Sequence, residues 1–229
     1  MPRSDTRPPT GQPLVGDVVR LDPMTPDDAP GIFEVFADPG VFEQGFRMLD
    51  RLTDQAQAEL LVASHLAARP SRTAYTVRLV ADSLLGAAGT VVGTSSLGDI
   101  DVPNESIHLG WTTYASRFWG TRVNPEAKLL LLAHSFEDCG FGRVQIQTDV
   151  VNQRSQAAIG KLGALREGVL RRVVQRADGS WRDTVVFSIL LDEWPAVRVR
   201  LEARLEVRAS PGAPPGPPPG TGSRPPTGP

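Results

Sequence analysis

The stretch from Ser106 to Asp149 constrains this chain more than any other. It reads as a strand over Ser106–Tyr114, a loop, a helix opening at Asn124, and a strand over Arg143–Asp149. Asn124 is an N-cap residue, Pro125 suits the first helical position and Glu126 puts an acid into the first turn. Through Leu129–Leu132 the helix is apolar nearly all round, which predicts burial, and Cys139-Gly140 ends it. In the second strand Val144, Ile146 and Thr148 face one way, and Gln145, Gln147 and Asp149 face the other. Strand, buried helix and strand make a βαβ unit, parallel and right-handed, within one domain of mixed type.

The flanking segments supply the rest. Asp17–Asp22 alternates around Val18, Val19 and Leu21 and reads as a first strand. Thr25, Pro26, Asp27 and Asp28 open a helix that runs to about Ala37, buries Ile32, Phe33 and Phe36, and ends at Asp38-Pro39-Gly40. A second helix begins after Thr53 and carries Ala56, Leu60, Val62, Ala63 and Leu66 at helical spacing. Thr73–Val80 and Gly89–Leu97 pair as a hairpin. Beyond the βαβ unit, a short helix over Arg154–Leu162 stops at Gly163. Val169–Gln175 and Asp183–Leu191 flank Asp178-Gly179, a strong hairpin signal. A last helix starts near Asp192. Nine of the 21 prolines lie beyond Ala209, so residues 209–229 read as a disordered or polyproline tail. Residues 1–13 read as a shorter flexible segment, which leaves 14–208 as a single domain.

Composition excludes several classes. The net charge is −2 and the pI about 5.9, so no nucleic-acid footprint is expected. One cysteine, Cys139, and three histidines far apart in sequence predict no metal site. No apolar run approaches the ~18 residues of a membrane span. The first residues lack the apolar core of a secretory signal. A reduced, cytoplasmic protein is the expectation.

The segment Arg117–Asn124 holds one glycine, one threonine and two arginines at a helix start. Unpaired N–H groups, the helix dipole and Arg117 and Arg122 fit a phosphate or pyrophosphate. The same segment also reads as an ordinary solvated loop. It lacks the glycines of a dinucleotide fingerprint and the lysine of a P-loop.

Here the residues resemble a known family. RFWGTR is similar to the pyrophosphate loop, Q/R-x-x-G-x-G/A, of the GNAT N-acetyltransferases. The run DVVNQRSQAAIGKLGALREGVLR resembles the Asn-x-x-Ser, Leu-Gly and Glu-Gly pattern of the RimJ/RimL-like branch, as do IHLGW before it and WRDTVVFSIL after it. The resemblance implies an α+β fold with a central mixed, mostly antiparallel sheet of about seven strands and flanking helices. Its fourth strand, Ser106–Tyr114, is expected to carry a bulge and to splay from the fifth, opening a crevice. It implies acetyl-CoA as acyl donor, a primary amine as acceptor and no metal. Backbone groups at Trp111, Thr112 and Thr113 would pair with the pantetheine arm. The loop Arg117, Trp119, Gly120, Thr121, Arg122 and Val123 would hold the pyrophosphate. Asn152 would contact the pantetheine, and Ser155 would protonate the departing thiolate.

Two positions depart from the pattern. Arg122 stands where the loop has Gly or Ala, and is strained if that position needs positive φ. His108 stands where the branch often has glutamate. It is either a general base facing the crevice or a hydrogen-bonded histidine packed against the sheet. His65, Phe118, Trp119, Trp181, Trp194 and His134 read as packing residues first. The loop Asp38–Leu52, with Phe42, Phe46 and Met48, lies where the family keeps its acceptor loop. Two alternatives to an acetyltransferase stand beside it: a silent acyl-CoA-binding sensor or scaffold, and a succinyl-CoA-dependent transferase using Arg117, Arg122, Arg171 or Arg172. An apolar sheet edge or hairpin would support a homodimer.

Overall fold

The computed structural model describes residues 5–43, 49–176 and 178–207; the tail 209–229, Phe46 and Met48 lie outside these. Strands β1 (Leu14–Val15) and β2 (Val19–Pro23) lead into a 3-10 turn over Pro26–Asp28, then α1 (Ala29–Phe36), α2 (Pro39–Glu43) and α3 (Gln55–Ala67). Strands β3 (Arg72–Leu79), β4 (Val91–Asp101) and β5 (Ser106–Tyr114) follow, then α4 (Val123–Ala133) and β6 (Arg143–Asp149). Helix α5 (Gln153–Gly160), strands β7 (Leu165–Gln175) and β8 (Trp181–Leu190) and helix α6 (Trp194–Val207) complete the chain. One eight-stranded sheet runs β1-β2-β3-β4-β5-β6-β8-β7. The strand beyond the expected seven is β1, two residues of hairpin partner to β2. Only β5 and β6 pair in parallel among the described strands, which is the βαβ unit read from the sequence.

The helices lie on both faces. Thr76 of β3 reaches the buried Asp28 carboxylate at the start of α1, so α1 and α3 cover that face. The neighbouring Tyr75 pairs with Ser95 on the opposite face, which α4 and α6 cover. Leu21, Val77, Leu97, Ile107, Leu109, Val144 and Ile189 are fully buried in the core, with Leu131, Leu132, Trp194 and Leu201.

Acids expected to act only through helix dipoles do more. Asp28 accepts from the Thr25 amide at 2.8 Å, from the Thr76 hydroxyl at 2.7 Å and from the Arg78 guanidinium, locking α1 to β3. Glu126, buried, accepts from the amides of Asp17, Val18 and Val19 at 3.1, 2.7 and 2.6 Å. It ties the first hairpin to α4, because buried amides need acceptors.

Boundaries shift where capping competes. Asp54 caps α3, accepting from the Gln57 amide at 3.0 Å, so the helix opens at Gln55. Helix α4 begins at Val123 with Arg122 as its flanking residue, so Asn124 and Pro125 lie inside its first turn, where proline's missing N–H costs nothing. Asp38-Pro39-Gly40 closes α1 but opens α2. The amide of Arg7 donates to the Cys139 carbonyl at 2.9 Å and the Thr6 hydroxyl to the Gly140 carbonyl at 3.0 Å, tying down part of the N-terminal segment read as flexible. Trp194 is buried and stacks on Phe136, whereas Trp181 is 46% exposed on the outer hairpin, with Arg172 over its ring.

Candidate active site

The site begins with two irregularities in β5. Thr94 of β4 pairs with Thr113 but Ser96 pairs with Gly110, so Ser95 alone faces both Trp111 and Thr112. The extra residue is a bulge, and Trp111 takes a left-handed φ of 49° to make it. On its other side β5 pairs with β6 only through Ser106, Ile107 and His108. From Leu109 onward the two parallel strands part, leaving a crevice with an unpaired strand edge inside the sheet.

The loop Arg117–Asn124 closes the end of that crevice. The Trp119 indole N–H donates to the Tyr114 carbonyl at 2.9 Å, and the Thr121 hydroxyl to the Phe118 carbonyl at 2.6 Å. Gly120 supplies the positive φ, 74°, with open space where a Cβ would stand. Arg122 has φ −73°, so the strain considered for it is absent. The amides of Thr121 and Val123 are used internally. Those of Gly120, Arg122 and Asn124 meet no acceptor among the described residues, and the Arg122 Nε is buried without a partner. Such a cradle suits an oxyanion. Phe118 is core, and Arg117 lies over its ring.

The opposite wall comes from α5. Asn152 caps it, its Oδ1 accepting from the Ser155 amide at 2.9 Å, so the structure brings Asn152 and Ser155 together. The Arg154 guanidinium sits 3.7 Å from the Trp119 ring centroid, spanning the gap between α5 and the loop. Asp149 does not cap α5. Arg176 of the outer hairpin holds it at 2.6 and 2.9 Å, and the Val151 amide donates to it at 3.1 Å.

His108 lies on the α1/α3 face, opposite Gly98. Its residue surface is 9% exposed. Its Nδ1 lies 3.0 Å from the Asp99 carboxylate, while its Nε2 is buried without a partner among the described residues. A Cβ on Gly110 would fall 2.7 Å from that Nε2, so the ring lies along the strand toward the bulge. The Trp111 ring is 4.8 Å away, with the Arg72 guanidinium 4.6 Å from the indole centroid. Hydrogen bonding to His108 holds the Asp99 carboxyl below its ordinary range, assisted by the nearby charge of Arg72. His108 is thus hydrogen-bonded through Nδ1, with Nε2 unpartnered among the described residues. His65 is buried beside Arg72, and burial pushes its pKa down to about 4, which makes it a neutral packing residue. His134 is buried too, its Nδ1 2.7 Å from Asp138.

On the other face of β5 stands a residue that sequence reasoning missed. Lys128 of α4 is 6% exposed, and its Nζ donates to the Thr112 hydroxyl at 2.9 Å. Thr112 in turn lies 2.7 Å from the Ser95 hydroxyl. Burial alone brings the Lys128 pKa down to about 7. A signal existed: Lys128 is the lone cation in a helix otherwise read as apolar all round. Asp99 had no such signal, since its partner lies on another strand.

Glu167 of the Glu-Gly pattern is structural. Arg143 binds it at 2.5 and 2.6 Å and Ser188 at 2.8 Å, and the Arg143 hydrogen bonds pull its pKa down to about 2. A depressed carboxyl stabilises the fold above its unfolded pKa and loses that contribution as pH falls through the folded value. Glu167→Gln should therefore cost about 1 kcal/mol at neutral pH, allowing for solvent screening of a partly exposed pair. Urea unfolding should show that cost fading as pH falls from about 4.5 toward 2; an equal cost at both ends would contradict it. Among the described residues no cluster of His, Cys, Asp and Glu is placed to hold a metal, and no helix is long and apolar enough to cross a membrane.

An acetyltransferase (GNAT) domain profile matches residues 19–165, and the chain belongs to that family. Its relatives are consistent with the RimJ/RimL-like branch. The chain is 31% identical over 106 residues to YdaF of Bacillus subtilis (strain 168), named as a ribosomal N-acetyltransferase. That match spans 46% of this chain and 57% of YdaF. A crystal structure from T. thermophilus, described as an acetyltransferase, is 35% identical with a TM-score of 0.73, covering 85% of this chain and 97% of that one. Mycobacterium smegmatis RimJ, solved in complex with CoA-disulfide, shares the fold at 23% identity and a TM-score of 0.67, covering 84% and 93%.

Proposed function

We propose that this protein transfers the acetyl group of acetyl-CoA to a primary amine by direct attack in a ternary complex. The observation that carries the reading is the parting of β5 from β6 after His108, beside a bulge at Trp111 and above a loop with unpaired amides. Gly120, Arg122 and Asn124 would hold the pyrophosphate. The free edge of β5 around Trp111–Thr113 would pair with the amides of the pantetheine arm, with Asn152 on the facing wall. The name of the similar B. subtilis protein, a ribosomal N-acetyltransferase, favours a protein amine, a protein N-terminus among them, as the acceptor; a small-molecule amine fits the same chemistry.

In the reaction the amine nitrogen forms a bond to the thioester carbonyl carbon and the carbon–sulfur bond breaks. Backbone N–H groups of the open edge would stabilise the developing oxyanion. His108, oriented through Nδ1 by Asp99, would take the ammonium proton at Nε2. Ser155 would return a proton to the thiolate. Positioning two substrates in one crevice supplies much of the rate.

Calorimetric titration of acetyl-CoA, desulfo-CoA and succinyl-CoA tests this. Micromolar binding of acetyl-CoA is expected, weakening about tenfold in Asn152→Ala. Absence of binding at millimolar ligand would remove the reading, and a preference for succinyl-CoA would change the donor.

A further inference from the structure

We propose that Lys128 is the positioning residue of the donor crevice: through Thr112 it holds the bulged backbone around Trp111 in the shape that receives the donor, and it does so while charged. The inference rests on the reading of the crevice as a coenzyme site.

The geometry is specific. The Lys128 Nζ donates to the Thr112 Oγ1, which is also 2.7 Å from the Ser95 Oγ and 3.3 Å from the Gly110 carbonyl. Thr112 has one proton to give. While Lys128 is an ammonium it can only donate, so Thr112 accepts from it and directs its own proton to Ser95 or the Gly110 carbonyl. A neutral amine can accept instead. The Thr112 proton then turns to the Nζ, Ser95 donates to Thr112, and the bridge to Gly110 is released. Gly110 and Thr112 flank the bulged Trp111, so the protonation state acts on the bulge itself.

Among the described residues no opposite charge explains the lysine. Glu126, two residues earlier on α4, is occupied by three amides of the first hairpin. Tyr75 and Tyr114 on the strands beneath have their phenols pushed up by burial, and the Cys139 thiol near Tyr75 is pushed up to about 11, so all three are neutral. Burial is what lowers the Lys128 pKa. A core cation with no partner anion is costly, and an apolar side chain of similar volume would pack there.

The test uses the full chain, as wild type, Lys128→Met and Thr112→Val. Hydrogen exchange of the amides at 110–113 is read as protection factors in the free protein at about pH 6 and about pH 9, on either side of the lysine's titration. Wild-type protection should fall about tenfold at the higher pH; both variants should show no such change. Acetyl-CoA titrated near pH 8 in buffers of different ionisation heat should take up part of a proton in the wild type, up to about one, and none in the variants. Wild-type protection that ignores pH, or a pH dependence that persists in Lys128→Met, overturns the proposal. Should Lys128→Met fail to fold, persistence of the dependence in Thr112→Val, which keeps the lysine, overturns it equally. If acetyl-CoA does not bind at any pH, the functional reading falls, and the exchange measurement alone decides whether Lys128 holds the bulge.

Discussion

Lys128→Met raises the free energy of unfolding by about 3 kcal/mol at about pH 6, and the gain shrinks as pH rises toward 10. Burial lowers the lysine from its ordinary value of 10.5 to about 7. Between those values the unfolded chain holds the proton and the folded chain does not, so wild-type stability falls with acidification and climbs with pH across the interval. Below it both states are protonated and the full penalty of the buried ammonium is in force, about 1.4 kcal/mol for each pH unit between the folded and unfolded pKa. Part of the gain is returned, because methionine leaves the Thr112 hydroxyl without its donor. Urea unfolding of both proteins across pH reads the effect directly. A stability difference independent of pH would mean that burial does not depress the lysine.

His108→Gln lowers the turnover number for acetyl transfer by about 10²–10³-fold, with the KM for acetyl-CoA within about twofold of wild type. The side chain lies where its unpartnered Nε2 faces the bulge, on the opposite face of β5 from Lys128, so its loss would remove the proposed proton acceptor without touching the loop Arg117–Asn124. Asp99→Asn keeps the imidazole but weakens its hold at Nδ1, and should cost about tenfold in turnover. A ¹⁵N spectrum of the ring should show Nδ1 as the protonated nitrogen in the wild type and a mixture in Asp99→Asn. Coenzyme release from acetyl-CoA with peptides bearing a free N-terminus reads the kinetics. Turnover unchanged in His108→Gln would return the residue to a packing role.

Much of the fold was legible because it depends on local signals. Pro125 and Glu126 marked the start of α4 to within two residues, Asp178-Gly179 marked the outer hairpin, and the alternation through Val144, Ile146 and Thr148 gave the limits of β6. Pairing partners were harder. The 3-10 turn before α1 and the cap at Asp54 rest on hydrogen bonds that several residue types can make. The short partner strand at Leu14–Val15 has too few residues to carry a pattern. Of the site, the loop and the Asn152/Ser155 pair were visible because they are contiguous in sequence. The Asp99–His108 contact and the Lys128–Thr112–Ser95 chain join different strands or a helix to a strand, so only the register brings them together. Arg122 carries no strain, since the positive φ falls two residues earlier, at Gly120.

The parting of β5 from β6 places a raw sheet margin in the middle of the fold rather than at its rim. At the rim, an unpaired margin invites a strand from another molecule and leads to aggregation. Here β6, the next strand of the sheet, stands on the far side of the gap. Under the proposed function, a slender donor with amides spaced along its length would enter there and complete the sheet as a strand does. On that reading, the protein would turn a feature that most β-structures must hide into an entry for its donor.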